Sequence, residues 1–152
     1  LPHGRRRVTA AMKRNLRPAL SWSCCVSLVK DISKGTPLSY GRSFIAPRRM
    51  RVATLTAGYG DGYLCSGAGN AKVLVGGKLC PVLGRVTMDQ MLVDVSKIKA
   101  AKPGDEAVLI GRQGKQEITA HHLADWASTL PLEVLTAIAY RVPRVYRGGQ
   151  AA

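Results

Sequence analysis

Three short segments carry side chains capable of chemistry, and in two of them these stand beside glycine, where a backbone can approach a ligand closely. A tyrosine precedes a glycine at Tyr40, two tyrosines and an aspartate lie among the glycines of residues 58–63, and an acid follows a methionine at Asp89. A phenol can donate or accept a proton, and a carboxylate accepts hydrogen bonds. Alone, each segment is also typical of ordinary structure, namely a packed tyrosine, a tight glycine turn, and a salt bridge from Asp89 to Arg85.

The glycine-rich segment does not match the common phosphate or metal loops. Residues 58–62 read G-x-G-x-G, whereas a dinucleotide fingerprint reads G-x-G-x-x-G, and no G-K-[S/T] follows. Asp61 alone offers too few oxygen ligands for an EF-hand. His121 and His122 are adjacent rather than four residues apart, and no cysteines form C-x-x-C. We therefore predict no metal site.

The charge is strongly positive, with 23 lysines and arginines against 9 acidic residues and a net charge of +14. Residues 1–18 are basic and contain no acid. Clustered positive charge is typical of nucleic-acid binding. The 5 tyrosines, 2 tryptophans and 1 phenylalanine do not alternate with the basic residues as a stacking platform would. A basic β-barrel that binds RNA or another polyanion is therefore the alternative function, and nucleic acid is not the expected partner.

The cysteines and the hydropathy indicate a cytoplasmic protein. Cys24 and Cys25 are neighbours, a poor start for a disulfide framework, so we predict free thiols in a reducing compartment. No run of 18 apolar residues is present, and no membrane span is expected. The sequence opens at Leu1 without the layout of a signal peptide, so we expect it to begin inside a longer gene product or to have been cut.

The elements that hold these segments are predicted to be short strands. Period-two alternation places Leu20, Trp22, Cys24, Val26 and Leu28 on one strand face. Further strands are predicted over residues 38–46, where Gly41 interrupts the strand, and over 51–57, 86–95 and 107–110, with a hairpin at 76–77. Thr119 is predicted to cap a helix over 120–128, and Pro131 to begin a second helix that ends at residue 139. The fold class is therefore mainly β, an antiparallel β-barrel or sandwich with two short C-terminal helices.

In their order and spacing, these segments resemble the C-terminal domain of alanine racemases. The resemblance covers about residues 16–146. It is carried by L-R-P-A-L-S-W at 16–22, S-Y-G at 39–41, G-Y-G-D-G at 58–62, P-V-L-G-R-V-T-M-D-Q at 81–90, P-G-D at 103–105 with L-I-G at 109–111, and R-V-P-R-V-Y at 141–146. It implies a β-domain over residues 19–147, preceded at 1–18 by a basic linker or the tail of a missing N-terminal barrel domain, and followed at 148–152 by a flexible tail.

The resemblance also implies an activity. Members of the family interconvert L-alanine and D-alanine for cell-wall peptidoglycan. They pair this β-domain with a (β/α)₈ barrel that holds pyridoxal phosphate on a lysine, and they form head-to-tail homodimers. By position, Tyr40 would be the catalytic base on one face of the substrate α-carbon. The Met88 backbone amide would meet the substrate carboxylate, while Asp89 and Tyr59 would line a narrow substrate entrance.

One residue departs from the family pattern. Leu132 stands where the family often has a tyrosine that reaches the cofactor phosphate, and leucine cannot donate a hydrogen bond. No residue of this sequence is therefore assigned to cofactor binding, and the cofactor lysine is not expected in this chain. We expect the isolated chain to be inactive, because one base and the electron sink would be missing. Its expected partners are L-alanine, D-alanine, and either a second copy or a barrel domain.

Overall fold

The computed structural model describes residues 17–67 and 69–148. Most of the basic segment predicted as a linker, residues 1–16, lies outside the described residues, as do residues 149–152 of the predicted tail.

Short antiparallel strands make up most of the described chain, which confirms the predicted mainly-β class. The strands are β1 Trp22–Ile32, β2 Pro37–Leu38, β3 Phe44–Ile45, β4 Met50–Leu55, β5 Lys72–Val75, β6 Lys78–Pro81, β7 Met91–Asp94, β8 Glu106–Gln113 and β9 Gln116–Ile118. Two helices follow them, α1 Ala120–Ala127 and α2 Pro131–Ala137. Within the described part of the chain, neither helix has the length and apolar character needed to cross a membrane.

Seven of the strands form one sheet in the order β6-β5-β8-β1-β4-β7, with β9 paired to β8. Its strand pairs are antiparallel. An isolated bridge between Val82 and Val93, beyond the end of β6, brings the two ends of this path together. The sheet is strongly curved but is not closed by paired strands, so the predicted barrel or sandwich is an incompletely closed sheet.

Two apolar clusters hold the molecule together. The larger cluster lies inside the curved sheet and includes Trp22, Leu55 and Leu109. The smaller cluster contains Ile32 and Met50, and the side chains of Leu38 and Phe44 from the β2–β3 hairpin pack against it. Burial of these apolar side chains fixes the hairpin on the surface of the sheet.

The strand predicted over residues 38–46 is interrupted at Gly41, as expected, but the interruption is a reversal of the chain and the strand segments are only two residues each. The chain reverses through a 3₁₀ turn at Tyr40–Arg42, and β2 and β3 on either side pair as a short hairpin. Ser39, Gly41 and Arg42 all have positive φ, at 66°, 65° and 53°. Gly41 indicates the interruption, but not the reversal, because two of the three residues with positive φ are not glycine.

The predicted strand over residues 86–95 is also too long. Only Met91–Asp94 is strand, and residues 87–90 form a turn. The backbone amide and the hydroxyl of Thr87 both donate to the Gln90 carbonyl, at 2.9 and 2.8 Å. Met88 and Asp89 therefore lie in a turn that precedes a strand, and both are exposed.

The alternation predicted from Leu20 to Leu28 holds only between Trp22 and Val26, because Leu20 precedes β1 and Leu28 follows a bulge. Trp22 and Val26 are buried, as expected, whereas Leu20 and Leu28 are 40% and 52% exposed. The pairing with β4 shifts register between Val26 and Leu28. A bulge at this point turns the following side chains to the opposite face.

The local signals for the hairpin and the helix are confirmed. Gly76 and Gly77 have φ of 53° and 72° and join β5 to β6. The Thr119 hydroxyl accepts from the backbone amide of His122 at 3.3 Å, which caps α1. Pro131 lies in the first turn of α2, which ends two residues earlier than predicted, at Ala137.

Candidate functional site

Tyr40 lies at the tip of the β2–β3 hairpin, and its side chain is 56% exposed. Serines on both sides attach this turn to the next segment of the site. The Ser39 hydroxyl donates to the Arg85 carbonyl at 2.6 Å, and the Arg85 amide donates to the Ser43 hydroxyl at 3.1 Å. The backbone that carries Tyr40 is therefore fixed, while its phenol faces solvent.

Gly84 allows this close approach. Its φ is +67°, and a Cβ built on it would lie 2.7 Å from the Ser39 Cβ and 3.0 Å from the Ser43 hydroxyl. A larger residue would push the Tyr40 turn outward as well as strain its own backbone.

The glycine-rich loop packs against the turn at residues 87–90 through its backbone. The Tyr59 amide donates to the Thr87 carbonyl at 2.9 Å, and the Gly60 amide donates to the Met88 carbonyl at 2.7 Å. A Cβ on Gly58 would lie 2.2 Å from the Thr87 oxygen, so glycine is needed at that contact. Tyr59 and Met88 are thus held on neighbouring backbones, with side chains 42% and 51% exposed.

Arg141 joins this loop to the turn. Its Nε donates to Asp61 Oδ1 at 2.8 Å, and its Nη2 donates to Asp89 Oδ1 at 2.6 Å. Hydrogen bonds to Asp89 and then to Asp61 raise the pKa of Arg141 above its usual value. The predicted fixed polar contact of Asp89 is present, but its partner is Arg141 and not Arg85.

Arg144 fixes the chain on the C-terminal side of Arg141. Its guanidinium donates to the carbonyls of Ile138, Ala139 and Val142, just beyond the end of α2. A cation at that position also complements the partial negative charge of the helix C-terminus. Each arginine of the closing R-V-P-R-V-Y stretch therefore makes a defined set of contacts.

The residues predicted for the site are arranged along one segment, residues 84–90. The Tyr40 turn is bonded to Arg85 at one end of that segment, and Tyr59 is bonded to Thr87 near the other. Within residues 17–67 and 69–148, the structure records no hydrogen bond from the Met88 backbone amide. The Met88 residue as a whole is 51% exposed.

Arg141 was not singled out by the sequence patterns as a site residue. It lies within the R-V-P-R-V-Y stretch. Nothing local indicates which acids it contacts, because Asp61 and Asp89 lie 80 and 52 residues away. The signal that could have found it is that Asp61 and Asp89 each lie in a loop, and that Arg85 is the one basic residue within these two loops.

The match to a family model decides the relationship. Residues 19–146 match the model described as alanine racemase, C-terminal domain. The chain belongs to this family. Its relatives include an alanine racemase of Symbiobacterium thermophilum, 49% identical over 137 residues, and one of Methylacidiphilum infernorum, 43% identical over 136 residues. Each of these matches covers 90% of this chain, and the chain spans about a third of either relative, 36% and 35% respectively.

Solved structures agree with the family. The alanine racemase from D-cycloserine-producing Streptomyces lavendulae superposes with a TM-score of 0.85 at 39% identity, over 91% of this chain and 36% of that one. The alanine racemase from Bacillus anthracis, solved with bound L-Ala-P, gives a TM-score of 0.81 at 34% identity, over 94% of this chain and 38% of that one. The chain therefore has the fold of the C-terminal part of these enzymes.

The lysines and residue 132 determine what this chain offers to a cofactor such as pyridoxal phosphate. Every lysine among the described residues is exposed, and neither of the two best-formed hollows is lined by a lysine. Leu132, predicted to replace a cofactor-binding tyrosine, is 72% exposed, and its side chain offers no hydrogen bond. Across residues 17–67 and 69–148, no group of three or more histidine, cysteine, aspartate or glutamate side chains is placed to hold a metal ion.

Proposed function

We propose that this chain supplies half of the active site of an alanine racemase, which interconverts L-alanine and D-alanine for peptidoglycan. The observation that carries the proposal is the exposed Tyr40, on a turn fixed by Ser39 and Ser43, in a chain of this family. The other half would come from a (β/α)₈ barrel that bears pyridoxal phosphate on a lysine. That cofactor would act as the electron sink for the substrate.

Tyr40 would be the proton acceptor on one face of the α-carbon. Phenols are weak acids near neutral pH, so a tyrosine base needs positive charge beside it. The barrel would supply that charge, and the exposure of the phenol on the isolated chain leaves it open to such a neighbour.

Met88, Asp89 and Tyr59 would receive and select the substrate. The Met88 amide would donate to the carboxylate of alanine. In support, no hydrogen bond from this amide to another described residue is recorded. Asp89 and Tyr59 would line the entrance. Both are exposed, and backbone hydrogen bonds join the loop of Tyr59 to the turn of Asp89. A narrow entrance of this kind favours a small amino acid.

A barrel domain, in a head-to-tail homodimer, would cover the C-terminal part of this chain. Leu130, Leu132, Tyr140, Val145 and Tyr146 are each 69% exposed or more. Concentrated exposed apolar side chains are typical of interaction surfaces. We place the enzyme in the cytoplasm, which fits the free thiols of its four cysteines. Nothing in the described residues favours the polyanion-binding alternative over the function of the family.

The proposal is tested by fusing this chain to the barrel of the Symbiobacterium thermophilum relative and comparing Tyr40→Phe with the unchanged fusion. Loss of the phenol should lower kcat/KM roughly 10²–10⁴-fold, the usual contribution of a general base. Both directions should fall equally, because the equilibrium between enantiomers is fixed. In D₂O the enantiomer whose proton faces the barrel base should still exchange its α-proton without inverting.

The matched control is Tyr63→Phe in the same fusion. It removes the same hydroxyl from a side chain that is 2% exposed and cannot touch substrate. Its kcat/KM should match that of the unchanged fusion. Full racemisation by the Tyr40→Phe fusion would overturn the proposed role of Tyr40.

A further inference from the structure

Three segments that are far apart in sequence meet at the guanidinium of Arg141. One nitrogen bonds Asp61 in the glycine-rich loop, and another bonds Asp89 in the turn at residues 87–90. A planar guanidinium presents its N–H groups in a rigid fork, so two carboxylates bound to it are held at a fixed separation. Arg141 therefore sets the position of Asp89 relative to Asp61.

The two carboxylates differ in how firmly they are held. The Asp61 side chain is 17% exposed, and its Oδ2 also accepts from the Gly58 amide at 2.9 Å. The Asp89 side chain is 62% exposed, and within the described residues its recorded side-chain hydrogen bond is the one from Arg141. Asp61 is the anchor, and Asp89 depends on Arg141 for its orientation.

The guanidinium itself is constrained from two sides. The Ala139 amide donates to the Asp61 carbonyl at 2.9 Å, so the chain just before Arg141 is bonded to the same loop. A Cβ on Gly60 would lie 2.6 Å from Nη2 of Arg141, so the guanidinium lies directly over the backbone of that glycine. Free rotation of this side chain into solvent would break both ion pairs.

We propose that Arg141 is a positioning residue, which ties the entrance residue Asp89 and its turn to the anchored loop of Asp61 and Tyr59. The inference rests on the proposed function, because that function makes the turn at residues 87–90 part of a substrate entrance. Arg141 acts through Asp89 and the turn, and it takes no part in proton transfer.

The kinetic test uses the fusion with the Symbiobacterium thermophilum barrel and compares Arg141→Met and Arg141→Lys. Arg141→Met should raise the KM for L-alanine roughly threefold to tenfold, the factor for one partly exposed hydrogen bond between charged groups. The kcat should change by less than that. Arg141→Lys should fall between, because an ammonium is a point charge and cannot bridge two carboxylates with the same geometry.

Two further variants separate positioning from general destabilisation. Arg112→Met breaks the exposed ion pair of Arg112 with Glu117 in the β8–β9 hairpin and should leave KM unchanged. Asp89→Asn should raise KM, and the double variant with Arg141→Met should be no worse than the more affected single variant, because both act through one contact. Additive effects of Asp89→Asn and Arg141→Met on KM would overturn the proposal.

A second measurement on the 152-residue chain does not depend on racemase activity. The Tyr59 and Gly60 amides donate hydrogen bonds to carbonyls of the turn at residues 87–90. Their hydrogen exchange, followed by NMR, therefore reports how often the loop separates from the turn. Exchange of these two amides should be faster in Arg141→Met and unchanged in Arg112→Met. Unchanged exchange in Arg141→Met would overturn the inference. An inactive unchanged fusion together with faster exchange would instead defeat the proposed function and leave Arg141 as the tie between the two loops.

Discussion

The hydroxyl of Tyr63 is enclosed in the core without a hydrogen-bond partner among the described residues. The side chain is 2% exposed, and its ring lies 6.1 Å from that of Trp22. Burial, with a smaller effect of the charge on Cys24, raises the pKa of Tyr63, because the phenolate would lose its hydration. A buried hydroxyl without a partner lowers stability, so removal of the Tyr63 hydroxyl should raise the free energy of unfolding.

Tyr63→Phe should therefore stabilise the chain by about 1 kcal/mol, measured by urea unfolding at pH 7. The gain should grow above pH 10, because the pKa of Tyr63 in the folded chain is raised from 10.0. Above pH 10 the phenol ionises in the unfolded state but not in the folded state, so the unsubstituted chain loses stability and Tyr63→Phe does not. Tyr40→Phe, on an exposed ring, is the control and should leave the free energy of unfolding unchanged. A destabilised Tyr63→Phe chain would mean that the hydroxyl has a partner.

Residue chemistry was easier to predict from the sequence than residue contacts. The segments around Tyr40, Tyr59 and Asp89 are visible as motifs, because glycine and acid types stand out locally. The bonds of Arg141 are not visible, since they join positions that only the folded sheet brings together.

At the scale of elements, the β2–β3 hairpin depends on one close contact with residues 84–85. Gly84 allows it because there is no side chain between its backbone and Ser39. The hairpin is otherwise held by a small apolar cluster and two hydrogen bonds. The position of Tyr40 is therefore sensitive to the size of residue 84.

Gly84→Ala should destabilise the chain more than Gly114→Ala, by about 1–3 kcal/mol, the usual cost of overpacking. Both glycines have similar φ, +67° and +63°, so the backbone strain is matched. A Cβ on Gly114 would have its nearest neighbour at 3.9 Å, whereas one on Gly84 would lie 2.7 Å from Ser39. Equal unfolding free energies in urea would contradict the close contact.

Elements with local signals were predicted, and elements set by tertiary contacts were not. The Gly76-Gly77 hairpin and the Thr119 cap follow from residues within a few positions of each other. The turn at Tyr40–Arg42 requires positive φ at Ser39 and Arg42, and serine and arginine do not predict that backbone conformation. The bulge in β1 and the turn at 87–90 likewise arise from pairing with distant strands and loops.

At the scale of the whole molecule, the chain folds as a unit and leaves the proposed site residues on its surface. It spans about a third of the relatives that it matches, at 90% coverage of its own length. Tyr40, Tyr59, Met88 and Asp89 are all exposed, and so is every lysine among the described residues. Such an arrangement fits residues that are completed by another domain.

The most direct test of this division is D-alanine formed from L-alanine, with pyridoxal phosphate present, by three proteins: this chain, the barrel of the Symbiobacterium thermophilum relative, and their fusion. We predict D-alanine from the fusion alone, because neither part holds both bases and the cofactor. Turnover by this chain alone would mean that one of its own lysines holds the cofactor. A fusion no more active than the barrel would mean that this chain does not complete the site.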